Sequence, residues 1–178
     1  STILLTTMTG ISYWIIDYIK TVFKVEDQQK ALVSYILITI SGPIGGLFTS
    51  VIVSITIGNY NHRHAGTIMF LMYFLATLVA NQIYLVNDYL LFVAITILYL
   101  MLCSTALPMI QGISLGSVSQ SLKGTAFSLA NFFINIFGVI PSTYAYGYIN
   151  NKYKEKNNRL AMNSMMKYLQ RVAMLALV

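Results

Sequence analysis

Residues 34–58 read SYILITISGPIGGLFTSVIVSITIG, a run without one charged side chain. About 20 consecutive apolar residues carry a helix across the hydrocarbon core of a bilayer, so a run like this reads as a transmembrane helix. The rest of the chain has the same character. Of its 178 residues, 57% are hydrophobic and 9% charged, and the mean hydropathy is +0.69. An ordinary soluble domain carries about 25% charged residues. Eleven Lys plus Arg and five Asp plus Glu cannot cover a water-soluble surface of this size, so a soluble globule is excluded. The length leaves room for six crossings and short connections, and none for a large extramembrane catalytic domain. A net charge of +6 and a pI near 9.4 do not indicate nucleic acid here. Lys20, Lys24, Lys30, Lys152, Lys154, Lys156 and Arg159 lie between or beside apolar runs, where membrane proteins keep their charges.

Working outward from residues 34–58, the expected architecture is an all-α, polytopic transmembrane helix bundle occupying 1–178 as one unit. Its helices are expected at about 1–23, 31–58, 67–86, 89–118, 124–149 and 160–178. The first ends at the polar cluster Lys24 to Lys30 and the second before Asn59 to His64. The fourth is long enough to require tilt, an extension beyond the lipid, or a kink at Pro108. The fifth is interrupted by Gly138 and Pro141. Asn163, Lys167, Gln170 and Arg171 break the sixth, which reads as an incomplete helix or as an interfacial amphipathic one. The chain opens inside an apolar stretch at Ser1, without the charged start of a signal peptide, and is expected to be a piece of a longer polypeptide.

Soluble-enzyme motifs are missing from the sequence. There is no phosphate-binding glycine loop ending in Lys and Ser or Thr, no H-E-x-x-H and no G-x-S-x-G, so neither an enzyme nor a cofactor is expected. Cys103 is the single cysteine and reads as a packing residue. His62 and His64 flank Arg63 without further ligands nearby, and no metal site is expected.

The remaining polar residues inside apolar runs are the candidates for function. Asp17, in YWIIDYI, is the one acid well inside such a run; it needs a partner, water or a proton. It reads either as a proton-coupling or cation-binding group, or as a carboxylate close to the interface that is hydrated or paired with Lys20. Thr125, Ser128, Asn131 and Asn135 recur at spacings of three, three and four, which draws one polar stripe along a helix. Such a stripe lines a water-filled cavity or bonds neighbouring helices. Gln111 could join it. Tyr13, Trp14 and Tyr35 could wall a cavity or anchor the helices at the interface. Small residues crowd the second helix around Gly42, Pro43, Gly45 and Gly46, and Pro108 with Gly112 and Gly138 with Pro141 give the fourth and fifth the same character. They read as sites of close helix packing or as points of flexure.

The stretch ALPMIQGISLGSVSQSLKGTAFSLANFFINIFGVIPSTYAYGYI, residues 106–149, resembles the carboxy-terminal half of a major facilitator superfamily transporter, particularly of the spinster-like branch. In that branch the tenth helix carries a proline and a Q-G pair, matched by Pro108, Gln111 and Gly112. The next loop ends in a basic residue and glycine, as at Lys123 and Gly124, and the eleventh helix opens with A-x-S-L, as at Ala126, Ser128 and Leu129. A G-x-x-P break and a Y-G pair follow, as at Gly138, Pro141, Tyr146 and Gly147. Gly10 to Tyr18 is similar to the seventh helix and Gly42 to Gly46 to the eighth, so the resemblance spans nearly the whole chain. It departs after the eighth helix, where the family's glycine pair and acidic residue are replaced by Thr49, Ser50, Ser54, Gly58, Asn59 and Tyr60.

The resemblance implies a 3+3 inverted repeat with solute bound near mid-membrane against an amino-terminal half. The expected function is secondary, alternating-access transport of a small organic or lipid-like solute by a symporter or antiporter. The amino-terminal half would lie in the same chain or in a partner membrane protein, and the lipid bilayer and the solute complete the expected partners. The alternative is a transporter-derived subunit that no longer transports and has a structural role in a larger membrane assembly. Basic residues also conflict with the family's topology: the positive-inside rule would place the side bearing Lys20, Lys24, Lys30 and Lys152 to Arg159 in the cytoplasm, where the family has it outside.

Overall fold

The computed structural model describes residues 2–56, 63–83 and 85–153, and these are helical with short connections and no strand. The expected sixth helix, 160–178, lies outside the described residues, as does His62. Helices α1 (Thr2–Val22), α2 (Gln28–Thr56) and α3 (Arg63–Ile83) are each continuous. Next come α4 (Tyr89–Ser104) and α5 (Ala106–Gly116), then a short 3₁₀ turn. The described chain closes with α6 (Lys123–Ile134), a π-helical segment (Asn135–Val139) and α7 (Ile140–Tyr153).

Four stretches are long and apolar enough to cross a membrane: Gln28–Ile55, Gly66–Ile83, Tyr89–Gly116 and Gln120–Tyr148. By length and composition they are compatible with a multi-pass membrane protein. Helix α1 has the length, at 1.5 Å per residue. It is not one of the four, because Asp17, Lys20 and several Thr and Ser dilute its apolar content.

Apolar periodicity decides which faces meet. On α1, Ile11, Ile15 and Ile19 are buried one turn apart, and on α4 the buried positions are Phe92, Val93, Thr96, Tyr99, Leu100, Cys103 and Ser104. Ala76 and Ala80 let α3 close onto α4, which sits centrally and packs most extensively on α2. At Gly45 the approach of α2 is limiting. A Cβ there would meet the Met101 carbonyl oxygen, lie 2.6 Å from Ser104 Oγ and lie 2.8 Å from Met101 Cα. The outward face of α2 stays apolar and exposed, through Leu37, Leu47, Phe48 and Ile55, as a lipid-facing surface would be.

Two of the five acids hold helix starts. Asp27 accepts from the Gln29 and Lys30 amides before α2, and Asp88 accepts from Leu91 N at 3.2 Å before α4. Each such cap is worth about 1 kcal/mol. The same end is clasped by Tyr89, whose hydroxyl meets Ser34 Oγ and donates to the Lys30 carbonyl at 3.2 Å.

In the fourth segment, where Pro108 is one of three ways to accommodate the length, the effect of the proline is felt one turn before it. Pro108 has no N–H to give Ser104, its i−4 partner, and its ring crowds that carbonyl. The hydrogen-bond ladder therefore lapses at Thr105, between α4 and α5, while the Thr105 backbone keeps helical angles (φ −58°, ψ −30°) and Tyr89–Gly116 continues as one span. The Ser104 and Thr105 hydroxyls turn back onto Met101 and Leu102 carbonyls. In the last span, Pro141 follows a π turn in which the Ile140 amide reaches the Asn135 carbonyl. Pro43 acts differently, for α2 runs through it unbroken.

Candidate functional site

Among the described residues two clefts open between helices, and seven of the sequence candidates line one or the other. The first lies between α1 and α7 and has a volume of about 560 Å³. Its α1 wall is Tyr13 and Trp14, and its α7 wall is Thr143, Tyr144, Gly147, Tyr148 and Asn151. Trp14 is positioned from behind by Tyr146, buried and stacked on the indole at 5.0 Å, and from the side by Tyr13 at 5.3 Å, edge to face. A Cβ at Gly147 would sit 3.4 Å from Trp14 Cζ2, so a glycine lets α7 come up to the indole. Trp14 Nε1 is buried and has no hydrogen-bond partner among the described residues.

Asp17 stands one turn beyond Tyr13 on the same face of α1. It is exposed on the chain and is not one of the residues lining the cleft. The pairing with Lys20 does not form: among the described residues the one ion pair is Lys30 with Asp27, at 3.8 Å.

The second cleft, about 360 Å³, is enclosed by α1, α2, α4 and α5. Met8, Gly42, Pro43, Gly46, Pro108 and Gln111 line it together with Ser104 and Leu107. Small residues of α2 thus face the break between α4 and α5, with the Gly46 Cβ position 3.7 Å from the Ser104 carbonyl oxygen and 3.9 Å from Pro108 Cγ. Gln111 also borders a smaller hollow of about 70 Å³ between α5 and α6, so it links the break to the last span.

The remaining candidates lie apart from both clefts. Tyr35 is half-buried against the main core, and Gly112 is half-buried within α5. Gly45 is consumed by packing on α4. Gly138 is buried in the π segment on a seam with Ile134, Ser142 and Tyr146, and Pro141 is exposed at the start of α7. Thr125, Ser128 and Asn135 are exposed and Asn131 half-buried. Asn135 Nδ2 donates to the Asn131 carbonyl of its own helix at 2.9 Å. No described neighbouring helix takes a hydrogen bond from the stripe.

Sequence reading passed over the α7 wall of the first cleft. Its signal was present in the spacing of Thr143, Gly147 and Asn151, and of Tyr144 and Tyr148, each four apart. Among the described residues no three His, Cys, Asp or Glu side chains come together as a metal site would require. Compared with protein-family models, curated proteins and solved structures, the chain matches none of them.

Proposed function

We propose that this chain is the carboxy-terminal, six-helix half of a secondary transporter of the major facilitator type, moving a small organic or lipid-like solute by alternating access. The observation that carries the reading is that one of the four span-length stretches departs from regular α-helix, at the π segment Asn135–Val139, and that Pro108 in another interrupts its hydrogen-bond ladder beside an open cleft. At membrane depth irregular backbone is tolerated where it is buried in protein or lines a water-filled cavity. Discontinuous helices are also the places where transporters bind solute and ions and change shape. The helix pattern and the motif resemblance at Pro108–Gly112 and Gly138–Gly147 agree with this assignment.

One observation favours the second reading, a transporter-derived subunit that only packs. The Thr125–Asn135 stripe is presented outward on the least buried span, as a helix that bonds a permanent partner would present it.

Cysteine accessibility separates the two without knowledge of the solute. In the full native polypeptide, placed in sealed vesicles of known orientation, Gln111→Cys and Asn131→Cys are to be labelled with a membrane-impermeant thiol reagent from each side. The unsubstituted protein supplies the background, to which Cys103, being buried, contributes little. Alternating access is expected to expose both positions to both sides. Labelling confined to one side at both positions rejects transport by this route. Protection from both sides identifies the packed subunit.

A further inference from the structure

The aromatic cleft between α1 and α7 has a chemistry of its own, and its role as a solute site rests on the transport reading. We infer that it binds an alkylated organic cation, held against Tyr13, Trp14, Tyr144 and Tyr148 with the Asp17 carboxylate as counter-charge. Four aromatic side chains from two helices converge on one opening of about 560 Å³, within the roughly 300–1,000 Å³ usual for small-molecule sites. Tyr13, Tyr144 and Tyr148 are 66%, 76% and 70% exposed, although α1 and α7 pack closely enough behind them to bury Tyr146. Interfacial anchoring would account for separate tyrosines; it does not account for their convergence around a tryptophan held in place by stacking and by Gly147.

Ring faces are electron-rich and attract cations within about 6 Å of the centroid. They repel anions, and so does Asp17. A compact inorganic cation holds its water too firmly to exchange it for ring faces, whereas an alkylated ammonium spreads its charge over apolar groups that the rings also bury. Asp17, one turn beyond Tyr13 on α1 and just outside the cleft lining, supplies the matching charge and is in no ion pair among the described residues. The next basic residue on that helix, Lys20, is exposed and farther from Tyr13 and Trp14.

The test is equilibrium binding of choline and of its neutral isostere 3,3-dimethyl-1-butanol to the full polypeptide in detergent. Trp14 is the single tryptophan of this chain, so the signal is the fluorescence component that Trp14→Phe removes. Choline is expected to change that component saturably, and the neutral isostere to bind at least about tenfold more weakly, a ratio typical of a cation on partly desolvated rings. Asp17→Asn and Tyr144→Leu, both at exposed positions, should each weaken choline binding several-fold while leaving the melting temperature unchanged. Equal binding of choline and the isostere overturns the inference, as does an unresponsive Trp14 component. Should that happen while Gln111→Cys and Asn131→Cys are labelled from both sides, transport stands and the cation falls. Saturable choline binding with one-sided labelling keeps the site and removes transport.

Discussion

Gly45→Leu is expected to give no recoverable folded protein, and Gly45→Ala to lower the unfolding midpoint in detergent by several degrees. The reason is local and steric. A Cβ at this position falls against the backbone of α4, 2.8 Å from Met101 Cα, and backbone cannot turn aside as a flexible side chain can. The two helices must separate, and their pairing is the most extensive among the described helices. Overpacking of this kind costs about 1–3 kcal/mol for a single methyl group, and each kcal/mol moves the midpoint of a chain this size by about 2–4 °C. The companion change Ser104→Ala removes the Oγ that lies 2.6 Å from the added carbon and leaves the Met101 contact, so it is expected to restore little. Gly66→Ala and Gly124→Ala are the controls. Nothing lies within 4 Å of a Cβ at either, and each should raise stability by about 0.5–1 kcal/mol through lost chain entropy in the unfolded state. If Gly45→Ala behaved like Gly66→Ala, the close approach of α2 to α4 would be wrong.

Much of this architecture could be read from residues before any coordinates. Residues 34–58 lack a charge, and such a run has few alternatives to a spanning helix. The crowding of Gly42, Gly45 and Gly46 announced close approach, because small side chains are what let backbones meet. What could not be read is which glycine meets what. Gly45 faces α4 while Gly42 and Gly46 face a cleft, and that division depends on the rotation of α2, which its nearly uniform apolarity leaves undetermined. The interruption in the fourth span also falls away from its proline. A proline acts on the carbonyl four residues before it, so the ladder lapses ahead of Pro108, at Thr105. The candidate site was half legible. Tyr13, Trp14 and Asp17 stand out against the apolar background of α1, whereas Tyr144 and Tyr148 sit among so many other aromatics that only the docking of α7 on α1 selects them. Asp27 and Asp88 lie between apolar runs in the sequence, and the structure gives them a definite task as helix caps.

Pro108→Ala is the substitution expected to move stability and activity in opposite directions. Alanine restores an amide that can reach the Ser104 carbonyl, closing the gap in the hydrogen-bond ladder of the span Tyr89–Gly116. Proline in a helix interior costs about 3 kcal/mol relative to alanine. Against this stands the loss of ring carbons packed beside Gly46, at about 0.8 kcal/mol for each of two methylenes. The balance favours alanine by about 1 kcal/mol, so the unfolding midpoint should rise by a few degrees. Under the transport reading the span with its ladder closed no longer flexes beside the Gly42–Gly46 wall, and two-sided labelling of Gln111→Cys should collapse to one side, with solute flux falling tenfold or more. Pro43→Ala is the necessary contrast, because α2 is continuous through its proline and has no gap of this kind to close. It should leave two-sided labelling intact. A Pro108→Ala protein that is both more stable and still labelled from both sides would show that the interruption at Pro108 serves packing alone and that alternating access does not depend on it.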